Sequence, residues 1–418
     1  MSYFAVKGGT KLIGSVNING AKNSVLPILA ATLLNAGENV IHNCTRLRDV
    51  DSAIKILKHL GCRITRQGTT LTVDSSNITR CDVPESLMRE MRSSVIFLGP
   101  ILARCGCVRL STPGGCELGP RPIDLHLDAL RKLGATVSLD GGEILCRSGN
   151  MRGRDIVLGF PSVGATENIM LAATACEGTT RIINAAREPE IEDLQNFLLK
   201  TGAAVCGAGR SEITITGGKT SRPTEHTVMP DRIEAATYLC AAAACRGHIE
   251  LRDIRPQHIA TVISILSDAG CDIKTEADRV IIRSERPISG MPTVQTMPYP
   301  GFPTDAQSQL MAAACLARGT TVFYENIFEN RFRQTGELCR MGARIKVSGR
   351  TAVVEGVDRL TGALVRCTDL RGGAALVIAA LAAEGESKIY DIEHIDRGYE
   401  SIENGYSSLG GNIKRKEE

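Results

Sequence analysis

Tryptophan is absent from this sequence of 418 residues, and aromatic residues make up only 4% of it. The aromatic residues do not alternate with basic ones, which argues against a surface for single-stranded nucleic acid. No apolar run reaches the roughly eighteen residues of a membrane-spanning helix. The segment MSYFAVKGGTKLIGS at the start lacks the apolar core of a secretion signal. We therefore expect a cytoplasmic protein with neither a membrane nor a nucleic-acid partner.

Motifs for metals and cofactors are also missing. The seven histidines are scattered, and Cys105-Gly106-Cys107 has no second pair of ligands, so we expect no metal. No Gly-x-Gly-x-x-Gly run follows a predicted strand, so we expect no dinucleotide cofactor. The fifteen cysteines lie mostly in apolar contexts, which is typical of buried, reduced thiols. With a net charge of only +3 we expect neither DNA nor a membrane surface as a standing partner, and no protein partner is predicted.

The sequence does contain a repeat. Six times an alanine-rich stretch reaches a glycine that opens a short apolar strand, at intervals of 66 to 72 residues, and a second glycine follows after 23 to 28 residues. The first set comprises Gly37, Gly106, Gly178, Gly247, Gly319 and Gly385. The second set comprises Gly61, Gly134, Gly202, Gly270, Gly342 and Gly410. Two glycine registers that stay in phase six times indicate one supersecondary unit repeated six times.

Each repeat predicts the element order βαβαββ. Alanine-rich stretches such as NSVLPILAATLLNAG are apolar around nearly the whole helix, which predicts buried helices. A strand, an amphipathic helix such as VDSAIKILKHLG, and further strands follow. The second glycine suits the C-cap of the amphipathic helix, where a positive φ costs glycine little.

The two ends of the chain predict a circular arrangement. The sixth repeat lacks its final strands, and FAVKGGTKLIGSVNING at the N-terminus resembles the missing piece. We therefore expect one domain over residues 22–229 and another over 1–21 and 230–418, with three repeats in each. The chain would cross between them twice, near 20–22 and 229–231. A double crossing is typical of a hinge, so we expect a cleft that closes on substrate.

The most unusual segment is STPGGCELGPRPIDL, residues 111–125. It lengthens the second repeat, and insertions in repeats form loops that often carry a binding site. Three glycines and three prolines surround Cys116, so we expect this thiol to be within reach of a ligand. A surface loop with an incidental cysteine is the alternative, although Arg121 and Asp124 beside it favour a function.

Polar residues mark the starts of the predicted buried helices. Lys22-Asn23 opens the first of them, where a cation opposes the helix dipole unless an anion binds there. A solvated lysine beside a capping asparagine is the alternative. Related positions hold Arg92, Ser162, Thr166, Asp231, Arg232, Asp305, Asp369 and Arg371. Each is weak alone because polar residues commonly cap helices, but together they predict one shared cleft.

The sequence resembles the enolpyruvyl transferases over essentially its whole length, and among them the enzymes that act on UDP-N-acetylglucosamine. The resemblance rests on the segments NGAKNSVLPILAA, MRSSVIFLGPILA, PGGCELGPRPIDLH, SVGATENIM, FPTDAQSQLMA and HIDRGYESIE. It implies an α/β fold of two inside-out domains, each of three βαβαββ repeats, with the helices buried and the sheets outside.

The implied reaction moves the enolpyruvyl group of phosphoenolpyruvate to the 3′-hydroxyl of UDP-N-acetylglucosamine. Addition would give a tetrahedral ketal, and elimination would release phosphate without any cofactor. This would be the first committed step of peptidoglycan synthesis, on which cell-wall biogenesis, cell shape and cell division depend. Fosfomycin would be a covalent inhibitor.

The resemblance also implies a role for individual residues. Cys116 would be the proton donor and the site that fosfomycin alkylates, while Asp305 would accept the proton of the sugar hydroxyl. The residues expected to be catalytic are Cys116, Asp305, Lys22 and Arg397. The phosphoenolpyruvate site would comprise Lys22, Asn23, Arg121, Arg371 and Arg397. The UDP-sugar site would comprise Arg92, Arg121, Pro122, Ile123, Asp124, Leu125, Ser162, Val163, Gly164, Asp305 and Ile327.

Two other functions fit the same scaffold. A 5-enolpyruvylshikimate 3-phosphate synthase uses the same donor, but the PGGC loop and the Arg-Pro-Ile-Asp-Leu run argue against it. A non-catalytic paralogue that binds the UDP-sugar as a regulator is disfavoured because the four expected catalytic residues are intact. One departure from the pattern is Phe160, near which some members have a lysine, so no charged nucleotide contact is expected there.

Overall fold

The computed structural model describes residues 2–91, 93–111, 123–218, 222–291 and 293–417. Within these ranges the α helices are α1 (Lys22–Ala31), α2 (Arg48–Leu60), α3 (Glu85–Glu90), α4 (Leu98–Cys105), α5 (Asp124–Leu133), α6 (Val163–Ala173), α7 (Pro189–Lys200), α8 (Arg232–Ala244), α9 (Ala260–Asp268), α10 (Thr304–Ala314), α11 (Thr335–Arg340), α12 (Leu370–Ala382) and α13 (Ile402–Ser408). Short 3₁₀ helices cover Thr32–Leu34, Ser94–Phe97, Pro256–Ile259 and Ile392–Arg397.

The strands of the same ranges are mostly three to six residues long. They are β1 (Ser2–Lys7), β2 (Ile13–Asn17), β3 (Glu38–His42), β4 (Arg63–Gln67), β5 (Thr70–Asp74), β6 (Asp82–Val83), β7 (Cys107–Ser111), β8 (Ala135–Asp140), β9 (Glu143–Ser148), β10 (Asp155–Val157), β11 (Thr179–Ile183), β12 (Ala204–Cys206), β13 (Glu212–Thr216), β14 (Glu225–Thr227), β15 (His248–Arg252), β16 (Asp272–Thr275), β17 (Arg279–Arg283), β18 (Thr293–Gln295), β19 (Thr320–Tyr324), β20 (Arg344–Ser348), β21 (Thr351–Glu355), β22 (Leu364–Arg366), β23 (Glu386–Tyr390) and β24 (Asn412–Glu417).

The described residues divide into two compact units, each with its own hydrophobic core. The first unit comprises those of 20–111 and 123–229, and the second those of 2–19 and 230–417. Each unit contains three four-stranded sheets. In the first their strand orders are β14-β3-β5-β4, β6-β7-β9-β8 and β10-β11-β13-β12; in the second they are β16-β17-β15-β2, β18-β19-β21-β20 and β22-β23-β1-β24.

The sheets show how the repeats interlock. Two strands of each repeat form an antiparallel hairpin, as β4 and β5 do. The last strand of the repeat pairs in parallel with the first strand of another repeat, as β6 does with β7. Strand β14 ends the third repeat and pairs with β3 of the first, while β2 pairs with β15 of the fourth. Strands β1 and β2 thus take the places in the sixth repeat that β5 and β6 take in the first. Each unit closes on itself because a terminal strand returns to its first sheet.

The alanine-rich helices are buried on all sides, as the apolar composition predicts. Every residue of α8 is buried, and so are most residues of α10, α12, α1 and α6. In the second unit, α8, α10 and α12 pack against one another. The strands around them alternate between buried and exposed residues, so each sheet covers the helices with one face.

The glycines of the second register end the amphipathic helices in a left-handed conformation. Gly61 follows α2 with a φ of 111°, and Gly134 follows α5 with a φ of 103°. All six of these glycines have a positive φ, as the C-cap interpretation predicts. At Gly61 a side chain would also collide with the chain, since an added Cβ would lie 2.6 Å from the carbonyl oxygen of Asn77.

The chain passes between the units twice. In each unit, the two segments that make these passages are joined by a backbone hydrogen bond. In the second unit the amide of Asp231 donates to the carbonyl oxygen of Asn19 at 2.8 Å. In the first unit the amide of Ala21 donates to the carbonyl oxygen of Met229 at 2.8 Å. The carboxylate of Glu234 accepts from the amide and side chain of Asn19 at 2.8 and 2.9 Å. This buried glutamate therefore anchors the first crossing on α8.

We predict that Glu234 makes the stability of the protein depend on pH. Burial, together with the charge of Asp231, raises the pKa of Glu234 to about 7. Between the ordinary value of 4.5 and about pH 7 the folded protein therefore binds more protons than the unfolded chain, so its stability falls as pH rises through this window. A difference of this size corresponds to at most about 3 kcal/mol.

The measurement is urea unfolding of the wild type and of Glu234→Gln at pH 5 and pH 8. The variant lacks this titration. The unfolding free energy of the variant minus that of the wild type is therefore expected to be more positive at pH 8 than at pH 5. Glu276→Gln, at an exposed glutamate, is the control and should show the same difference from wild type at both values. An equal effect of Glu234→Gln at both pH values would refute the prediction.

Candidate functional site

The structure describes most of the expected site residues but not all. Four of them lie outside the described residues: Arg92, Cys116, Arg121 and Pro122. The others divide between the units. The first unit contains Lys22, Asn23, Ile123, Asp124, Leu125, Ser162, Val163 and Gly164, and the second contains Asp305, Ile327, Arg371 and Arg397.

Lys22 is the first residue of α1 and is nearly buried. Its Nζ lies 2.7 Å from Oδ2 of Asp49, a residue of the first turn of α2 that is 1% exposed. From its place at the start of a helix, Lys22 is predicted to lie beside a bound anion. The structure places one of the protein's own carboxylates there, so the helix-dipole argument alone does not require a ligand.

A buried network fixes the helix that carries Lys22. The carboxylate of Asp193 in α7 accepts from the hydroxyl of Ser24 in α1 at 2.5 Å and from the amide of Met229 at 3.1 Å. Nε2 of His226 lies 3.0 Å from the same carboxylate, and both side chains are at most 5% exposed. The start of α1 and the second crossing are thus held by one carboxylate.

The starts of α5 and α6 lie together in the first unit, which brings two of the expected segments, 123–125 and 162–164, close to each other. His126 in α5 is so near Gly164 that an added Cβ would lie 3.2 Å from its Cε1. The amide nitrogen of Asn168 contacts Nδ1 of His126 at 2.9 Å and donates to the carbonyl of Val95 at 3.0 Å. Its amide oxygen accepts from the backbone of Gly99 at 2.7 Å. Asn168 therefore joins α6 to α4 and α5.

Asp305 lies in the first turn of α10, where two arginines bind its carboxylate. Nη2 of Arg331 donates to Oδ1 at 2.8 Å, and Nη2 of Arg371 donates to Oδ2 at 3.1 Å. Both arginine side chains are 3% exposed, while that of Asp305 is 28% exposed. Arg331 also donates twice to the carbonyl of Thr304, at 3.2 and 3.0 Å. The carboxylate is therefore oriented from two sides and remains reachable.

The hydroxyl of Tyr399 connects the three buried helices of the second unit. It lies 2.8 Å from Oγ1 of Thr237 in α8, and it accepts from Gln309 in α10 and Arg371 in α12, each at 3.1 Å. Burial raises the pKa of Tyr399. The hydroxyl therefore keeps its proton, and since two neighbours donate to it, it donates to Thr237. Arg397 precedes Tyr399 by two residues, at the end of a 3₁₀ helix, and is half-buried.

Arg371 keeps its positive charge although it is buried. Burial lowers the pKa of this guanidinium, but the interactions with Tyr399 and Asp305 outweigh that effect and raise it above its ordinary value. Its guanidinium carbon also lies 5.5 Å from the centre of the Tyr399 ring. Arg371 is thus a permanently charged group close to the carboxylate of Asp305.

Glu325 is a buried carboxylate that ties Ile327 to the start of α10. One oxygen accepts from the amides of Ile327 and Phe328, at 2.8 and 3.0 Å, and from Thr296 at 2.9 Å. The other accepts from the hydroxyl of Thr304 at 2.9 Å. Glu325 is 1% exposed. The position of the 327–328 backbone is therefore coupled to that of Asp305.

Sequence reasoning missed the residues that hold the expected ones in place. These are Asp49, Asn168, Arg331, Glu325 and Tyr399. Tyr399 stands inside the segment HIDRGYESIE, and a tyrosine two residues after Arg397 was the available signal. Asp49 and Glu325 gave no comparable signal, because their partners are distant along the chain or are backbone amides.

A family model described as EPSP synthase (3-phosphoshikimate 1-carboxyvinyltransferase) matches residues 6–405. The chain belongs to this family of enolpyruvyl transferases. The match confirms the family that the sequence motifs indicated and covers both units.

Two curated relatives are similar to this chain over their full length. UDP-N-acetylglucosamine 1-carboxyvinyltransferase 2 of Caldanaerobacter subterraneus subsp. tengcongensis is 51% identical over 415 residues, which are 99% of this chain and 100% of the relative. UDP-N-acetylglucosamine 1-carboxyvinyltransferase of Geotalea uraniireducens is 44% identical over 418 residues, all of both chains.

Solved structures of the family show the same fold. The enolpyruvyl transferase NikO from Streptomyces tendae matches with a TM-score of 0.89 at 25% identity, covering 99% of this chain and 98% of its own. An EPSP synthase from Acinetobacter baumannii matches with a TM-score of 0.75 at 18% identity over the whole of both chains, which shows the fold alone. The predicted fold class is confirmed.

Two further observations concern metal sites and membrane-spanning helices. Among the residues that the structure describes, no group of three or more His, Cys, Asp or Glu side chains is placed to hold a metal ion. No helix in the described ranges is both long and apolar enough to span a bilayer.

We predict that Glu325→Gln loosens the backbone at Ile327 and Phe328. A glutamine amide has one oxygen, so it cannot accept from the backbone amides and from Thr304 at the same time. Leaving buried donors without an acceptor costs about 1–3 kcal/mol. Hydrogen exchange at the two amides is expected to quicken, and the melting temperature is expected to fall.

The control is Glu355→Gln, at an exposed glutamate of β21 that pairs with Arg344. It should change neither quantity appreciably, because exposed ion pairs contribute little. If the amides of Ile327 and Phe328 exchanged equally slowly in wild type and Glu325→Gln, the prediction that Glu325 holds this backbone in place would be refuted.

Proposed function

We propose that this enzyme transfers the enolpyruvyl group of phosphoenolpyruvate to the 3′-hydroxyl of UDP-N-acetylglucosamine and releases phosphate. The observation that carries the proposal is full-length identity of 44% and 51% with relatives named for that activity. The two solved EPSP synthase structures that match are only 18% identical to this chain. The alternative acceptor, shikimate 3-phosphate, is therefore disfavoured.

The proposed donor carries a phosphate and a carboxylate and needs several cations. Lys22 and Asn23 would bind it from the first unit, and Arg371 and Arg397 from the second. Arg121 would complete the set. Guanidinium groups suit both anions because they form two parallel hydrogen bonds to each. In the structure Lys22 pairs with Asp49 and Arg371 with Asp305, so substrate anions would replace protein carboxylates as partners.

That exchange gives Asp305 its proposed role as general base. Both of its carboxylate oxygens accept hydrogen bonds from arginines, whose charges offset that of the carboxylate. If the guanidinium of Arg371 turned to the donor, Oδ2 would lose that hydrogen bond and would take the proton of the sugar hydroxyl. Arg331 would keep the other oxygen in place. A positioned base contributes roughly 10² to 10⁴ in rate.

Cys116 would protonate the methylene carbon of phosphoenolpyruvate during addition. A thiol with an ordinary pKa of about 8.5 is largely protonated at neutral pH and can donate. The neighbouring cations would also favour its thiolate, which would make it the site of alkylation by fosfomycin. After addition, loss of phosphate from the tetrahedral ketal restores the double bond.

The UDP-sugar would be bound from both units. The residues proposed to contact it are Arg92, Arg121, Pro122, Ile123, Asp124, Leu125, Ser162, Val163, Gly164, Asp305 and Ile327. The contact between the starts of α5 and α6 supports the grouping of 123–125 with 162–164. The hydrogen bonds of Glu325 to Ile327 and to Thr304, next to Asp305, support the grouping of Ile327 with Asp305. We propose peptidoglycan synthesis as the biological role, in the cytoplasm, with the domain closure expected from the double crossing.

The test is phosphate release from phosphoenolpyruvate with each acceptor separately. Release is expected with UDP-N-acetylglucosamine and not with shikimate 3-phosphate. Cys116→Ser should release phosphate much more slowly and form no fosfomycin adduct, which controls for contaminating phosphatases. Release that depends on shikimate 3-phosphate, or no release with either acceptor, would contradict the proposal.

A further inference from the structure

Three cysteines lie together in the first unit, and the proposed function uses none of them. Cys81 directly precedes β6, Cys105 ends α4, and Cys107 begins β7. Gly106 adopts a left-handed φ of 71°, which turns the chain between the last two. The parallel pairing of β6 with β7 brings Cys81 alongside, with its carbonyl accepting from the amide of Arg109 at 2.9 Å.

The sulfurs of Cys81 and Cys107 are in direct contact. The two Sγ atoms lie 3.1 Å apart, and the contact is a hydrogen bond between thiols. A disulfide would require them to approach by about 1 Å, to the usual bond length near 2.05 Å. Strands β6 and β7 already fix the two chain segments, so this change falls mainly on the side chains.

All three thiols are partly exposed, unlike most of the other described cysteines, which are buried. A small oxidant can therefore reach them from solvent. Exposure and a neighbouring thiol both favour reversible oxidation, since a sulfenic acid condenses with a thiol in contact with it.

We propose that Cys81 and Cys107 form a reversible disulfide when the protein meets hydrogen peroxide. The sulfur of one of the two cysteines attacks one peroxide oxygen, which gives a sulfenic acid and one water. The sulfur of the other then attacks the sulfenic sulfur, and the hydroxyl leaves with the thiol proton as a second water. Two thiols are oxidised, one peroxide is reduced, and a dithiol reductant restores the starting state.

The environment of Cys81 affects how fast the pair reacts. Its hydrogen bond with Cys107, together with burial, raises the pKa of Cys81 to about 11. It therefore remains a thiol at neutral pH, and the thiolate is the form that attacks peroxide. The disulfide is therefore expected to form faster as the pH rises. Burial also raises the pKa of Cys105, which disfavours that residue as the first nucleophile.

The cross-link would close a loop that contains α3 and α4. Closing such a loop restricts the unfolded chain, so the oxidised protein should melt at a higher temperature than the reduced protein. The effect should disappear on reduction.

The experiment treats the full-length protein with hydrogen peroxide, blocks remaining thiols with N-ethylmaleimide and digests it with trypsin without reduction. Trypsin places Cys81 on the peptide of residues 81–89, and Cys105 with Cys107 on that of residues 105–109. Mass spectrometry should find these two peptides joined with loss of two hydrogens, and fragmentation should place the link on Cys107. Dithiothreitol should separate them.

Two variants and a control make the test decisive. Cys107→Ser should abolish the joined peptides, while Cys105→Ser should retain them. Cys206→Ser, at an exposed cysteine of β12, is the matched control and should also retain them. The proposal fails if the wild-type peptides stay separate while Cys206 becomes oxidised, if the link lies on Cys105, or if it persists in Cys107→Ser.

Discussion

The structure depends on three helices buried side by side at the centre of a unit. In the second unit α8, α10 and α12 pack against one another with almost every residue buried. Small residues also let other elements pack closely on these helices: at Gly373 in α12 an added Cβ would lie 2.7 Å from a side-chain atom of Ile395, in the 3₁₀ helix Ile392–Arg397. No water reaches such helices along their length, so their polar groups must find partners at the helix starts or within the core.

That constraint explains where the reactive groups lie. Asp231 and Asp369 cap α8 and α12 with their carboxylates, and Asp305 lies in the first turn of α10. Because the helices run together, their starts bring charged residues into one region of the unit. Arg371 and Arg331 offset the carboxylate of Asp305 there, and the Tyr399 hydroxyl joins the helices behind them. The same bonds that satisfy a buried core thus set the geometry of the expected chemistry.

Much of the fold could be predicted from sequence, because it rests on local rules. The six glycines of the second register all end helices or helical turns with positive φ, and the alanine-rich segments are buried. The likeness of the N-terminal segment to the strands missing from the sixth repeat predicted the place of β1 and β2, and β2 pairs with β15. The pairing of β14 with β3 joins strands far apart in sequence, which no local pattern encodes. The site was predicted through motif resemblance, residue by residue. Its internal contacts were not, because Lys22 meets Asp49 and Glu325 meets Thr304 across separate elements.

The central claim is that the buried hydroxyl of Tyr399 holds the helix starts in the geometry required for turnover. Steady-state turnover and melting temperature of Tyr399→Phe test it most directly, with Tyr324→Phe, at an exposed tyrosine, as control. Removing the hydroxyl leaves Arg371 and Gln309 without this acceptor, which lowers the free energy of unfolding by about 1–3 kcal/mol. The account predicts a lower melting temperature together with a fall in kcat of about tenfold or more at a temperature where the variant is folded. A folded Tyr399→Phe enzyme with wild-type kcat would contradict it.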